Sequence, residues 1–108
     1  MVGFITLVEW RRVFRDLHDA VLTRVELDWA AGEVTFVVHR VGDEASTSLT
    51  VVELRSVSID RRLPWGPSSH INSVRIDAFP GAEGSVRVQF EMQSGDEIVV
   101  SGKGATER

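Results

Sequence analysis

From Ala20 onward the apolar residues recur at every second position, and this period restricts the chain to β-strands over most of its length. The clearest run is Val86, Val88, Phe90 and Met92, which alternate with Arg87, Gln89, Glu91 and Gln93. One face of such a segment is buried and the other meets water. Val21, Thr23, Val25, Leu27 and Trp29 follow the same rule against Arg24, Glu26 and Asp28. After the turn residues Ala30-Ala31-Gly32 comes a richer apolar strand, Val34–Val41, which completes a hairpin before the polar turn Gly42-Asp43-Glu44.

The alternation slips once. In Thr47–Asp60, Leu49 and Val51 share a parity with Val57 and Ile59, whereas Val52 and Leu54 take the opposite one around Glu53 and Arg55. A single extra residue reverses the facing of everything after it. A bulge or bend near Glu53–Ser56, or two short strands meeting there, restores the pattern. Ile71–Phe79 resumes strand character through Val74 and Ile76, and Pro80-Gly81 with Gly84 bounds the next turn. Ser94-Gly95-Asp96 makes a hairpin loop before Ile98–Ser101. Gly102–Arg108 reads as a fraying polar tail.

Ahead of the strands the period is helical. Thr6 and Glu9 have the spacing of a capping box, and Leu7, Trp10, Phe14 and Leu17 then recur on one face. The expected architecture is therefore mainly β (α+β): an antiparallel sandwich or curled sheet of about six strands with one N-terminal helix. The helix is expected over 7–17 and the strands over 20–29, 33–41, 47–60, 71–79, 85–93 and 97–102. A chain of 108 residues makes a single domain, 1–108. Trp10 and Trp29 occupy periodic positions and are expected in its core.

Composition excludes several function classes. There is no cysteine, hence no disulfide framework and no thiolate chemistry; a cytoplasmic location is expected. A net charge of −4 argues against a general affinity for nucleic acid or anionic lipid. No apolar run approaches a membrane span, and the apolar start lacks the basic flank of a signal peptide. The histidines at 18, 39 and 70 have no metal-ligand spacing, no carboxylates form a calcium loop, and no glycine pattern cradles a phosphate. Neither a metal nor a cofactor is expected.

Two stretches are candidate sites. Arg61-Arg62-Leu63-Pro64-Trp65-Gly66-Pro67-Ser68 holds two of the three prolines, which restrict the backbone, so that Trp65 is either presented to a partner at low entropic cost or folded down over the open end of the sheet. Arg61, Arg62, Trp65 and Ser68 are the expected partner-binding residues, the arginines being suited to acidic groups on a protein partner. The alternative is a small-molecule or enzymatic pocket formed by His18, Asp19 and His70, in which a histidine beside a carboxylate serves as an oriented base. No nucleophile elbow accompanies Ser68-Ser69-His70, so a serine hydrolase is not expected. His39 reads as a hydrogen-bonded, partly buried strand residue. A domain of this size leaves a sheet face open to a second copy, and a homodimer is expected.

Leu17-His18-Asp19-Ala20, Pro64-Trp65-Gly66-Pro67-Ser68 and Glu91-Met92-Gln93-Ser94-Gly95-Asp96, in this order, resemble segments of small bacterial β-proteins. Some of these resemble immunity-type or mobile-element cassette products, which act by binding. The resemblance implies a β fold, and its motifs have no assigned chemistry. It carries over no catalytic residue.

Overall fold

A computed structural model describes residues 2–62, 69–78 and 84–108, with side chains from residue 7 onward. Trp65 and Ser68, the Pro64–Ser68 segment and the Pro80-Gly81 turn lie outside the described residues. The chain is mainly β. Among the described residues one helix, α1 (Val2–Val13), precedes eight strands: β1 (Val21–Asp28), β2 (Glu33–His39), β3 (Thr47–Val52), β4 (Ser56–Ile59), β5 (Ile71–Ala78), β6 (Val86–Met92), β7 (Glu97–Gly102) and β8 (Gly104–Glu107). They form two four-stranded antiparallel sheets, ordered β1-β2-β3-β8 and β4-β7-β6-β5.

The two sheets share strands. β3 pairs with β8 from Leu49↔Glu107 to Val52↔Gly104, and the same two stretches of chain pair again as β4 and β7 from Ser56↔Ser101 to Ile59↔Ile98. Three residues, Glu53-Leu54-Arg55, separate the ladders on one side, and two, Gly102-Lys103, on the other. This is the one-residue slip that the parity break predicts. Glu53 takes the left-handed conformation there (φ 49°), and the chain bends from one sheet into the other. The backbones touch at the bend: a Cβ on Gly102 would stand 2.6 Å from Val51 Cγ1 and 2.8 Å from the carbonyl oxygen of Val52. Only glycine fits.

The six expected strands are thus eight. One divides at Glu53, and residues 104–107, read from the sequence as a polar tail, form β8. Short polar side chains conceal an edge strand whose single buried apolar residue is Ala105. A second junction joins the sheets where the Ile71 amide donates to Ala20 O at 2.9 Å, the Asp19 amide donates to Ile71 O at 2.8 Å, and Val21 bridges His70.

The helix also departs from expectation. It begins before Thr6, so Thr6 and Glu9 sit inside it rather than at its start, and it ends at Val13 instead of Leu17. Asp16 turns into the left-handed region (φ 54°). Leu17 still reaches the core from the linker, so helical spacing persists where helical backbone does not. Arg40, only 6% exposed, closes this end of the helix. Its Nε donates to Arg15 O (3.1 Å), one terminal nitrogen to Val13 O (3.0 Å) and the other to Glu107 Oε2 (3.0 Å). These bonds satisfy carbonyls that a helix end leaves without intrahelical donors. Glu107 also accepts from Arg15 at 2.8 Å, so one carboxylate of β8 holds two arginines. The Arg15 hydrogen bond, with the nearby Arg40 charge, keeps the Glu107 carboxyl below its ordinary pKa, and Arg15 is raised in return.

α1 packs on β5, β6 and β8, and an aromatic chain runs from it through the interior. Trp10 stacks on Phe14 (centroids 5.9 Å apart), Phe14 meets Phe90 edge-on (5.7 Å), and Phe90 lies against Phe36 (4.9 Å). Val38, Leu49, Val51, Val88 and Val100 complete a core contributed by both sheets. Buried Ser101 shares a 2.7 Å hydrogen bond with Ser56 across the β4–β7 ladder, whereas the Trp10 indole nitrogen and Ser85 Oγ are buried without a hydrogen-bond partner among the described residues.

Candidate interaction surface

Among the described residues, each sheet ends in an edge strand on the same side of the molecule, β1 being bridged at Val21 by His70. β1 is the edge of the first sheet and β4 an edge of the second. Two clefts follow one another along this pair. The first, about 330 Å³, lies between Leu22–Val25 of β1 and Ile59–Arg61 at the end of β4, with Met92 and Ile98 among its lining residues. The second, about 360 Å³, lies between Leu27–Trp29 and Leu54–Val57. The beginning of β1 faces the end of β4, so the strands run antiparallel across one groove.

The register of β1 assigns its side chains. Val25 and Leu27 stand opposite the buried Phe36 and Val34 of β2 and therefore point inward, while Arg24, Glu26 and Asp28 point outward beside Val37, Thr35 and Glu33. A bulge at Thr23, between the Leu22 and Arg24 pairings, interrupts the alternation expected from Val21 to Trp29. Inward-pointing residues on an edge strand remain half covered, and Leu27 is 51% exposed. Ile59 on β4 is 48% exposed. Trp29, expected in the core, is 87% exposed. It follows the last residue of β1 and enters the turn closed by the Gly32 amide on Asp28 O, so its periodic position lies past the end of the sheet that would have covered it.

At the other end of the groove the chain leaves β4 through Asp60, Arg61 and Arg62. Asp96, 2% exposed, receives this segment: its Oδ1 accepts from the Arg62 amide at 3.2 Å and lies 3.8 Å from Arg62 Nε. Asp96 Oδ2 accepts from Ser94 Oγ, so the hairpin turn Ser94-Gly95-Asp96 also anchors the chain at Arg62 as it leaves β4. Sequence reasoning recognised that turn and missed its second use, for which the only signal was an aspartate between Gly95 and a strand. Of the four expected partner-binding residues, Arg61 lines the groove and Arg62 bonds through its amide to Asp96, another lining residue. Trp65 and Ser68 are outside the described residues.

His18, Asp19 and His70 come together at the junction of the two sheets. His18 Nδ1 donates to Asn72 O at 2.6 Å and its Nε2 lies 3.5 Å from Asp19 Oδ2. Neighbours in sequence seldom face each other; here the left-handed Asp19 (φ 66°) turns the carboxylate back towards the ring. Gln93 donates to the other carboxylate oxygen. The His18 side chain is 70% exposed, Asp19 and His70 are also exposed, and none of the three lines the groove. His39 is partly buried and hydrogen-bonded to Asp43 O at 2.6 Å, as its strand position implied. Among the described residues no three histidine or acidic side chains gather as a metal site. Among the described residues no helix is long and apolar enough to cross a membrane.

No protein-family model matches the chain, and no curated protein matches it.

Proposed function

We propose that this protein is a binding module that meets another polypeptide along the β1–β4 side, and that it does not carry out chemistry on a bound substrate. One observation carries the reading: Leu27 and Ile59 on the two edge strands that border the groove, and Trp29 in the turn just past β1, are large apolar side chains left in water. An unpaired strand edge offers main-chain donors and acceptors, and exposed apolar residues beside it add affinity; together they are what strand-adding partners use. Arg61 and Arg62 at the groove's end add a cationic flank suited to acidic groups on that partner.

The test is affinity capture from a lysate of the source organism, using the wild-type chain beside Trp29→Ser and Ile59→Asp variants with unchanged melting temperatures. The expected result is a protein partner that the wild type retains and both variants lose. Equal recovery by all three chains would refute the reading.

A further inference from the structure

The outward row of β1 is self-complementary, and we propose that the polypeptide meeting this edge is a second copy of the chain, paired antiparallel through β1 about a two-fold axis at Val25. This rests on the binding reading above and specifies its partner. In an antiparallel pair, directly opposite residues share a face. An axis at Val25 therefore sets Arg24 opposite Glu26 of the partner subunit, and by symmetry Glu26 opposite Arg24 of the partner subunit. Both side chains are exposed and point outward; within one chain they already pair at 3.0 Å.

Neighbouring registers fail on charge. An axis at Arg24 sets two guanidinium groups face to face. An axis at Glu26 opposes two carboxylates at its centre, which offsets the two Arg24–Asp28 pairs it forms, whereas the Val25 axis forms two opposite-charge pairs with no like pair among these residues. An axis at Leu27 sets Glu26 against Asp28 twice. An axis between two residues places an outward charge opposite an inward apolar side chain. Like charges directly opposite are destabilising, so the Val25 register is the one the sequence of β1 selects.

The same axis covers two of the exposed apolar residues. Because faces are conserved across the pair, the second sheet of each copy lies on the same side, and the two β4 edges come to face one another. Leu27 is covered by the added strand, and Ile59 by the opposing β4. The bulge at Thr23 limits the regular ladder to the few residues around Val25, so the association is modest in strength.

The absence of cysteine makes the test clean. Opposed residues of either antiparallel kind have Cα atoms about 4.5–5.5 Å apart, within disulfide range. Val25→Cys is expected to oxidise to a covalent dimer, while Val41→Cys, at an exposed position away from the groove, stays monomeric. In analytical ultracentrifugation Arg24→Glu is expected to weaken the dimer about tenfold or more, since it creates two opposed carboxylate pairs, and Arg24→Glu with Glu26→Arg to restore it. A wild-type chain that remains monomeric up to about 0.2 mM overturns the proposal. So does a wild-type dimer in which Val25→Cys fails to cross-link, or one that Arg24→Glu leaves unchanged. In those cases the binding reading still stands or falls on partner capture by the Trp29 and Ile59 variants, which does not depend on β1 meeting itself.

Discussion

Replacing Arg40 with methionine removes the group that closes α1, and the structure allows its cost to be worked out. The guanidinium makes three hydrogen bonds, at 3.0, 3.0 and 3.1 Å, two of them to main-chain carbonyls at the helix end. A hydrogen bond involving a charged partner contributes about 1.5–3 kcal/mol net, so the two carbonyl bonds together represent roughly 3–6 kcal/mol. Methionine returns part of this through apolar contact at about 25 cal/mol per Å², and removing a buried cation relieves its desolvation. Glu107 keeps Arg15 as a partner, so its charge is not stranded. The expected net loss is about 2–3 kcal/mol, a lowering of the melting temperature by about 10–15 °C for a domain of this size. Urea unfolding followed by tryptophan fluorescence measures it, because fully buried Trp10 reports on the core beside the helix end. Arg40→Lys should lose about 1–2 kcal/mol, since one ammonium cannot reach three acceptors held by a planar fork. A loss below about 0.5 kcal/mol for Arg40→Met, within the range of an inert surface change, would refute the claim that this side chain secures the helix.

Glu107 links stability to pH. Its folded carboxyl is held below the ordinary value of 4.5, so its contribution is fully present above that pH and is lost as the pH falls towards the depressed folded value. Thermal melts of the wild type should therefore fall more steeply with acid below pH 4.5 than those of Glu107→Gln, and equal slopes would count against the network. Gly102→Ala forces a methyl group into Val51 and the Val52 carbonyl and should cost about 2–3 kcal/mol by chemical denaturation, whereas the same change at solvent-facing Gly95 is burdened only by its positive φ. Glu53→Gly relieves a left-handed non-glycine residue and should raise stability by up to about 1 kcal/mol; a loss of that size would mean that the Glu53 side chain holds the bend.

Period-two spacing was enough to locate every strand except the last, because burial on one face writes itself into alternate residues. The parity break between Val52 and Val57 even marked the bend that joins the sheets. β8 was illegible because Gly104, Thr106 and Glu107 carry no apolar alternation; its place is set by main-chain pairing with β3 and by Glu107 reaching two arginines from distant segments. The helix boundaries were misplaced for a related reason. Leu17 has the right spacing for a fourth helical contact, but Asp16 had already left the helix, and the cap comes from Arg40, which no local pattern reveals. Trp29 shows the limit of periodicity at a strand end, where the register continues and the sheet does not. At the candidate site, Arg61 and Arg62 were named from sequence, whereas the groove itself was not. It depends on which two strands are left as edges, and that is decided by strand order.

The shared bent strands have a kinetic consequence. The β1-β2-β3 and β5-β6-β7 meanders close between near neighbours in sequence, so each can form early. The joint between them pairs Leu49 with Glu107 and Ile59 with Ile98, contacts that span long stretches of chain and carry the entropy of closing a large loop. During synthesis the first meander must wait, with the β3 edge bare and α1 lacking the carboxylate that tethers Arg15 and Arg40, until residues 104–107 have emerged. In that interval the β1 and β3 edges are both open to other chains. The last four residues of β-structure thus govern whether a nascent molecule closes on itself or pairs with a neighbour.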